Sequence, residues 1–364
     1  MKKLTKTADF FLSTNAPQKF FSLAKSFDTP IDGERRFLLK GSAGSGKSTA
    51  MKRIVSGFMD REDLIERIHC SSDPDSLDGV ILYKACCSIA DATPPHEVEP
   101  EYPASFQTVC DLWNALSEEK LTPRLHRIEE LNTAISASHA KCRRLLASAD
   151  LLLQERRRIA EVYTDFDAAE RFAHRLAVRS FPKTGDMGAF RDRLLSAFTM
   201  HGVLTYTHTP KTLCGKTVCI DDPFGLIGDS VLRILSEEAK NSGHTVYRCF
   251  HPLAPDRLLA AVLVPTCDTA FLVRSKETPW TGYTADRTVR FGRFTDEASL
   301  RTKRKELRFL QKTADTVLFA ASEQLKEAKR LHDLLEEQHR DAIDFLYVDR
   351  QTEELVRKIA KRYK

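Results

Sequence analysis

The chain is 364 residues long, 42% of them hydrophobic, with 56 basic and 51 acidic side chains and a formal charge of +5. That apolar fraction excludes a wholly disordered chain, and the length predicts two or three domains. No apolar run reaches the roughly 18 residues of a membrane span, and so slight and dispersed a positive excess does not predict nucleic-acid binding.

Met1-Lys2-Lys3 leads into polar residues and Asp9 instead of an apolar run, so no secretory signal is expected. The nine cysteines include no CxxC pair and read as mostly buried thiols of a protein in the reducing cytoplasm. Arg36-Phe37-Leu38-Leu39-Lys40 predicts a strand. It runs into Gly41-Ser42-Ala43-Gly44-Ser45-Gly46-Lys47-Ser48, which fits GxxxxGK[ST] and is followed by Thr49. Met51, Ile54, Val55 and Phe58 then recur at helical spacing, completing the strand, glycine loop and helix that this motif requires.

The residue types supply the chemistry. Glycines let backbone N–H groups close around a phosphate, and a helix N-terminus adds the positive end of its dipole. Lys47 reaches the β- and γ-phosphates, Ser48 ligates Mg²⁺, and Thr49 extends the polar contacts. A metal-linked carboxylate is expected at the end of a following strand. Val80-Ile81-Leu82 and Ser88-Ile89-Ala90 read as strands, and the second ends in Asp91, the Walker B position.

Leu64 to Ile68 reads as a further strand, followed by His69-Cys70-Ser71-Ser72-Asp73-Pro74-Asp75-Ser76-Leu77-Asp78. At a strand's carboxyl end, this block is placed to hold a second substrate, with Asp73 as a base or metal partner and His69, Ser72, Asp75 and the later His96 as contacts. The competing reading is a polar turn in which Asp75 or Ser76 caps a short helix.

Residues 124–181 and 293–364 contain neither Gly nor Pro. In the first, Leu125, Ile128, Leu131 and Ile135 recur at helical spacing; in the second, Leu307, Leu310, Ala314 and Val317 do. Each stretch is predicted to fold back on itself as a helical hairpin, through which a protein partner would be met. Arg156-Arg157-Arg158 and the cluster Arg301, Lys303, Arg304, Lys305 read as solvated helix faces.

Thr217-Val218-Cys219-Ile220 and Thr269-Ala270-Phe271-Leu272-Val273 read as strands in the later half, so the order is α/β, helices, α/β, helices. A shift of 182 sets Gly46-Lys47-Ser48 on Gly228-Asp229-Ser230, and a shift of 183 sets Glu170 and Phe172 on Glu353 and Leu355. The expected fold class is α/β: a duplicated P-loop NTPase-like three-layer core, each half followed by long helices. The expected lobes are residues 1–181, with the phosphate loop, and 182–364, a degenerate copy.

The phosphate loop Gly41 to Thr49, the block Ile68 to Ile81 and Asp91-Ala92-Thr93-Pro94-Pro95-His96-Glu97-Val98-Glu99-Pro100 together resemble a family of bacterial, cytoplasmic P-loop ATPases built from two similar halves. The resemblance implies ATP binding and hydrolysis without supplying a substrate. Where such proteins often carry a second phosphate loop, this chain has Asp221-Asp222-Pro223-Phe224-Gly225-Leu226-Ile227-Gly228-Asp229-Ser230, with Asp229 read at the lysine position. Carboxylates there would repel a triphosphate, so one active site is expected. The leading expectation is Mg²⁺-dependent ATP hydrolysis by Lys47, Asp73 and Asp91. The alternatives are a kinase whose acceptor sits on the His69–Asp78 block, and a nucleotide-sensing module without turnover.

Overall fold

The computed structural model describes residues 5–24, 34–94 and 98–363, so His96 lies outside the described residues. Two six-stranded mixed sheets dominate the protein, each followed by long helices.

The first sheet is built from β1 (Lys6–Phe11), β2 (Arg35–Lys40), β3 (Leu64–His69), β4 (Leu77–Leu82), β5 (Cys87–Asp91) and β6 (Gln107–Asp111), with α1 (Lys47–Phe58) between β2 and β3. Helices α2 (Leu125–Glu161) and α3 (Phe166–Ser180) follow. The second set is β7 (Ala189–Arg193), β8 (Lys216–Asp221), α4 (Gly228–Asn241), β9 (Thr245–Phe250), β10 (Leu259–Val264), β11 (Thr269–Arg274) and β12 (Arg287–Val289), then α5 (Arg304–Arg340) and α6 (Phe345–Ala360).

The spatial order is β1-β3-β4-β5-β2-β6 in one sheet and β7-β9-β10-β11-β8-β12 in the other. In each, the third strand is antiparallel to both neighbours and the remaining pairs are parallel. This shared order with a shared direction change is consistent with a duplicated α/β core. The long helices repeat as well: α2 and α5 both have 37 residues. Each then turns into a helix capped by an aspartate. Asp165 accepts from the Ala168 N–H at 2.9 Å, and Asp344 accepts from Leu346 at 2.9 Å and Tyr347 at 3.1 Å. These caps mark the bends that no Gly or Pro announces.

The compact units do not follow a cut at residue 181. Unit 1 is Met1–Leu12, Ser22–Ala140 and Gln324–Lys364, and unit 2 is Ser13–Phe21 and Lys141–Glu323. The last helix of the chain therefore completes the first sheet's core. Leu355 and Ile359 of α6 pack with Met51, Ile54 and Phe58 of α1 over Phe37, Leu39, Val80 and Ile89. In unit 2, Phe172 and Leu176 of α3 pack with Val231 and Leu235 of α4 over Ile220, Val262 and Phe271. Met51 and Ile54 are fully buried, worth ~1.5–3 kcal/mol each. In each cluster the two helices pack on one face of the sheet. Among the described residues, no helix is long and apolar enough to cross a membrane.

Candidate functional site

Sheet register delivers the first site. β5 runs parallel beside β2, with Leu39 opposite Asp91, so Asp91 emerges next to the loop of residues 41–46 that joins β2 to α1. Gly44 and Gly46 adopt φ of 72° and 82°, which favour glycine. A Cβ on Gly41 would come within 2.5 Å of Ser45 Oγ. Ser45 is itself buried, and its hydroxyl finds no hydrogen-bond partner among the described residues.

Lys47 Nζ donates to the carbonyls of Gly41 at 3.0 Å and Ser42 at 2.8 Å, and lies 3.7 Å from Asp91 Oδ2. Asp91 Oδ1 accepts from the Thr93 N–H at 2.9 Å, which fixes the carboxylate. Ser48 Oγ accepts from the Leu77 N–H at 3.0 Å, tying the start of α1 to the end of the His69–Asp78 block. Thr49 is exposed. Lys47, Ser48 and Asp91 thus converge on one loop.

The block itself folds as a turn. Asp73 O accepts from the Ser76 N–H at 2.8 Å, and Cys70 N–H donates to Ser76 O at 3.0 Å. Ser72 lies in that turn and Asp75 is exposed. His69 is not brought to the loop: β3 lies three strand spacings from β2, roughly 14 Å. Both ring nitrogens of His69 are engaged, with Asp9 Oδ1 at 2.7 Å and Pro74 O at 2.8 Å. The ring braces a buried carboxylate, Asp9.

Sequence reasoning missed the contribution of α5. Lys329 lies 3.4 Å from Asp73 Oδ2, and the Glu336 side chain and backbone stand over Gly44, 3.4–3.7 Å from where its Cβ would be. Burial favours a neutral Lys329, but Asp333 and Asp73 outweigh it and raise its pKa, so Lys329 stays charged. His332, Asp333 and Glu336 bring their ligand atoms within 4.8 Å of one another on the same helix. The only sequence signal was the four-residue spacing of these charges, which any solvated helix shares.

Unit 2 shows why the second loop differs. Six residues separate strand from helix in both copies, 41–46 and 222–227, and Gly225 at φ 68° repeats Gly44. The helices begin at Lys47 and Gly228, so Gly228, not Asp229, stands at the lysine position. A Cβ at Gly228 would approach a Val273 methyl to 2.5 Å, which leaves no place for a lysine. Asp229 takes the place of Ser48 instead: its Oδ1 accepts from the Leu259 N–H at 2.7 Å, as Ser48 accepts from Leu77. Asp222 replaces Gly41. Fully buried, it accepts from the Gly228 N–H at 2.7 Å and the Phe224 N–H at 3.4 Å, so the loop's donors close on the protein's own carboxylate. Burial raises the pKa of Asp222, against the loop N–H groups that lower it.

Asp222→Ala should cost about 1–3 kcal/mol by stranding those donors. It should be read from the unfolding of unit 2 by the fluorescence of its one tryptophan, Trp280, and should create no nucleotide site. An unchanged midpoint would contradict the plug.

The copies also carry a charge-reversed clasp between long helix and loop. In unit 1 the helix supplies Lys329 and the loop Asp73. In unit 2 the helix supplies Asp150, at the matching position of α2, and the loop Arg257, 2.7 Å apart. The long helix therefore supplies the cation of the clasp in unit 1 and the anion in unit 2, where Asp150 lines a pocket with Asp222 and Gly225. No family model matches the chain, and neither a curated protein nor a solved structure is similar to it.

Proposed function

We propose that unit 1 binds a magnesium nucleoside triphosphate, with ATP the expected nucleotide, and hydrolyses it in a P-loop NTPase-like site. The observation that carries this reading is the strand, loop and helix of residues 35–58 with Lys47 poised between loop carbonyls and Asp91. The residues fit the group. The left-handed glycines open the backbone, position 41 has no room for a side chain, and the unpartnered Ser45 hydroxyl adds a donor.

Lys47 would exchange its two carbonyls for the β- and γ-phosphate oxygens. Ser48 and Asp91 would hold Mg²⁺, which would neutralise charge on those oxygens. Lys329 clasps Asp73 at 3.4 Å, and a triphosphate reaching that turn would meet it as a second cation. Hydrolysis is favoured over transfer to a bound acceptor because His69 is committed to Asp9 and Asp75 faces outward. Through Lys329 and Glu336 the nucleotide would touch α5, which gives a protein partner a helix on which to read its state.

The test is phosphate release from labelled ATP and GTP by the full chain and by Asp91→Asn. We expect the variant to turn over about a hundredfold more slowly with nucleotide affinity reduced far less, since the carboxylate acts mainly through the metal. Label moving to a component of a pooled metabolite extract would replace hydrolysis by kinase chemistry. Tight binding without turnover would make unit 1 a sensor.

A further inference from the structure

Unit 2 contains a cavity of about 920 Å³ beyond the carboxyl ends of β8 and β11, beside the plugged loop. That is where open α/β sheets hold ligands, and its size is in the range of small-molecule sites. Its lining is strongly cationic: Arg156, Arg290, Arg301, Arg304, Arg308 and Lys312. Two further cations on the wall are neutralised, Arg274 by Asp221 at 2.6 Å and Lys276 by Asp315. Glu297 is the other carboxylate on the wall. By contrast Arg290, Arg301, Arg304, Arg308 and Lys312 form no ion pair among the described residues.

Three observations show that this charge is not an incidental helix face. Arg304, Arg308 and Lys312 recur every four residues, so they project from one side of α5, onto the cavity. The matching positions of α2, equal in length to α5, are Leu125, Glu129 and Thr133, so the fold itself does not require the stripe. Polar atoms on the wall are also left waiting. Among the described residues, the Oε1 of Gln311, which is 8% exposed, has no partner, nor has the buried Nε of Arg156, whose other end donates to Pro223 O at 2.6 Å and stacks 4.4 Å from the Phe224 ring centroid.

We infer that this cavity is a second anion site, and that its ligand is a small polyphosphorylated molecule. Five unneutralised cations call for several negative charges within one ligand, and guanidinium forks match phosphate oxygens. Phe224, Phe291 and Leu307 supply apolar wall for the ligand's organic part. The site is chemically distinct from that of unit 1: it offers side-chain guanidinium groups in place of a backbone cradle, since the unit 2 loop is filled by Asp222.

The test is calorimetric titration of inorganic tripolyphosphate, at low ionic strength and without magnesium, into the full chain carrying Lys47→Ala. We expect one site per chain. Arg304→Ala/Arg308→Ala should weaken it about tenfold or more, while Arg304→Lys/Arg308→Lys stays within a few-fold, because charge persists. Both arginines are exposed, and circular dichroism checks that the fold is kept. Absence of binding, or equal binding by the double alanine variant, would overturn the inference. So would a short single-stranded oligonucleotide that binds more tightly than tripolyphosphate and depends on the same two arginines, since the ligand would then be nucleic acid. Failure of the unit 1 reading is visible separately: Lys47→Ala would leave ATP binding unchanged, while the arginine comparison keeps its meaning.

Discussion

Lys47→Ala is expected to weaken the ATP binding, and to suppress the turnover, that we propose for unit 1, while leaving the fold intact. The ammonium is the one compact charge on the loop, 2.8–3.0 Å from two of the loop's own carbonyls and 3.7 Å from Asp91. Those contacts mark the reach that a phosphate would take over. A charge-assisted hydrogen bond is worth about 1.5–3 kcal/mol, so the loss in affinity is expected to be tenfold or more. Turnover should fall further, roughly a hundredfold or more, because charge on the γ-phosphoryl oxygens and leaving oxygen grows in the transition state. Lys47→Arg should not rescue it, since the planar fork needs a wider space than a point charge between two carbonyls. The measurement is nucleotide affinity by calorimetry together with labelled phosphate release, with Asp229→Ala in the plugged loop as a control that changes neither. If Lys47→Ala bound ATP as the unaltered chain does, the site would not be the residue 41–48 loop.

How much of this was legible depended on whether the physics was local. The strands around Phe37, Ile65, Val80, Ile89, Cys219 and Phe271 could be read from apolar runs, and the loop of residues 41–46 between strand and helix from its glycines. β1 could not, because Asp9 interrupts Lys6–Phe11. The strand tolerates that carboxylate only because Arg67 and His69 meet it from the neighbouring strand. The duplication was readable but its register was not. Matching Glu170 to Glu353 slips by one helical turn from the alignment set by the caps Asp165 and Asp344, and a four-residue slip preserves an amphipathic pattern. A slip of a single residue at the second loop put Asp229 at the lysine position, when strand end and helix start place Gly228 there. The exchange of α3 and α6 between the two cores is a tertiary choice, since both helices carry similar apolar faces. For the same reason the charges of α5 looked alike in sequence. Only packing separates Lys329 beside Asp73 from Arg304 and Arg308 on the cavity wall.

The second large effect is on stability, at Asp9. Its carboxylate is 2% exposed and receives charge-assisted contacts from Arg67 Nε at 2.7 Å, a second Arg67 nitrogen at 2.6 Å and His69 Nε2 at 2.7 Å. Burial opposes ionisation, but the hydrogen bonds from His69 and Arg67 outweigh it and hold the Asp9 pKa well below the usual carboxylate range. Asp9→Ala is expected to destabilise unit 1 by about 3–5 kcal/mol, because it strands a guanidinium and an imidazole against a closed sheet face. The repeat supplies its own comparison. Asp192 and Arg248 form the same cross-strand pair between β7 and β9, but with side chains 21% and 25% exposed, so water compensates and Asp192→Ala should cost only about 1 kcal/mol. The pH dependence follows from the direction of the shift. A carboxyl whose folded pKa is depressed contributes its full stabilisation above its unfolded pKa, about 3.9, and loses it as pH falls through that value towards the folded one. Unit 1 should therefore lose stability below about pH 4 in the unaltered chain, and Asp9→Asn should flatten that limb of the profile. Each unit holds one of the chain's two tryptophans, so Trp113 in a Trp280→Phe background reports the unfolding of unit 1 alone. Equal urea midpoints for Asp9→Ala and the parent would mean that the Arg67–Asp9–His69 cluster does not hold this sheet together.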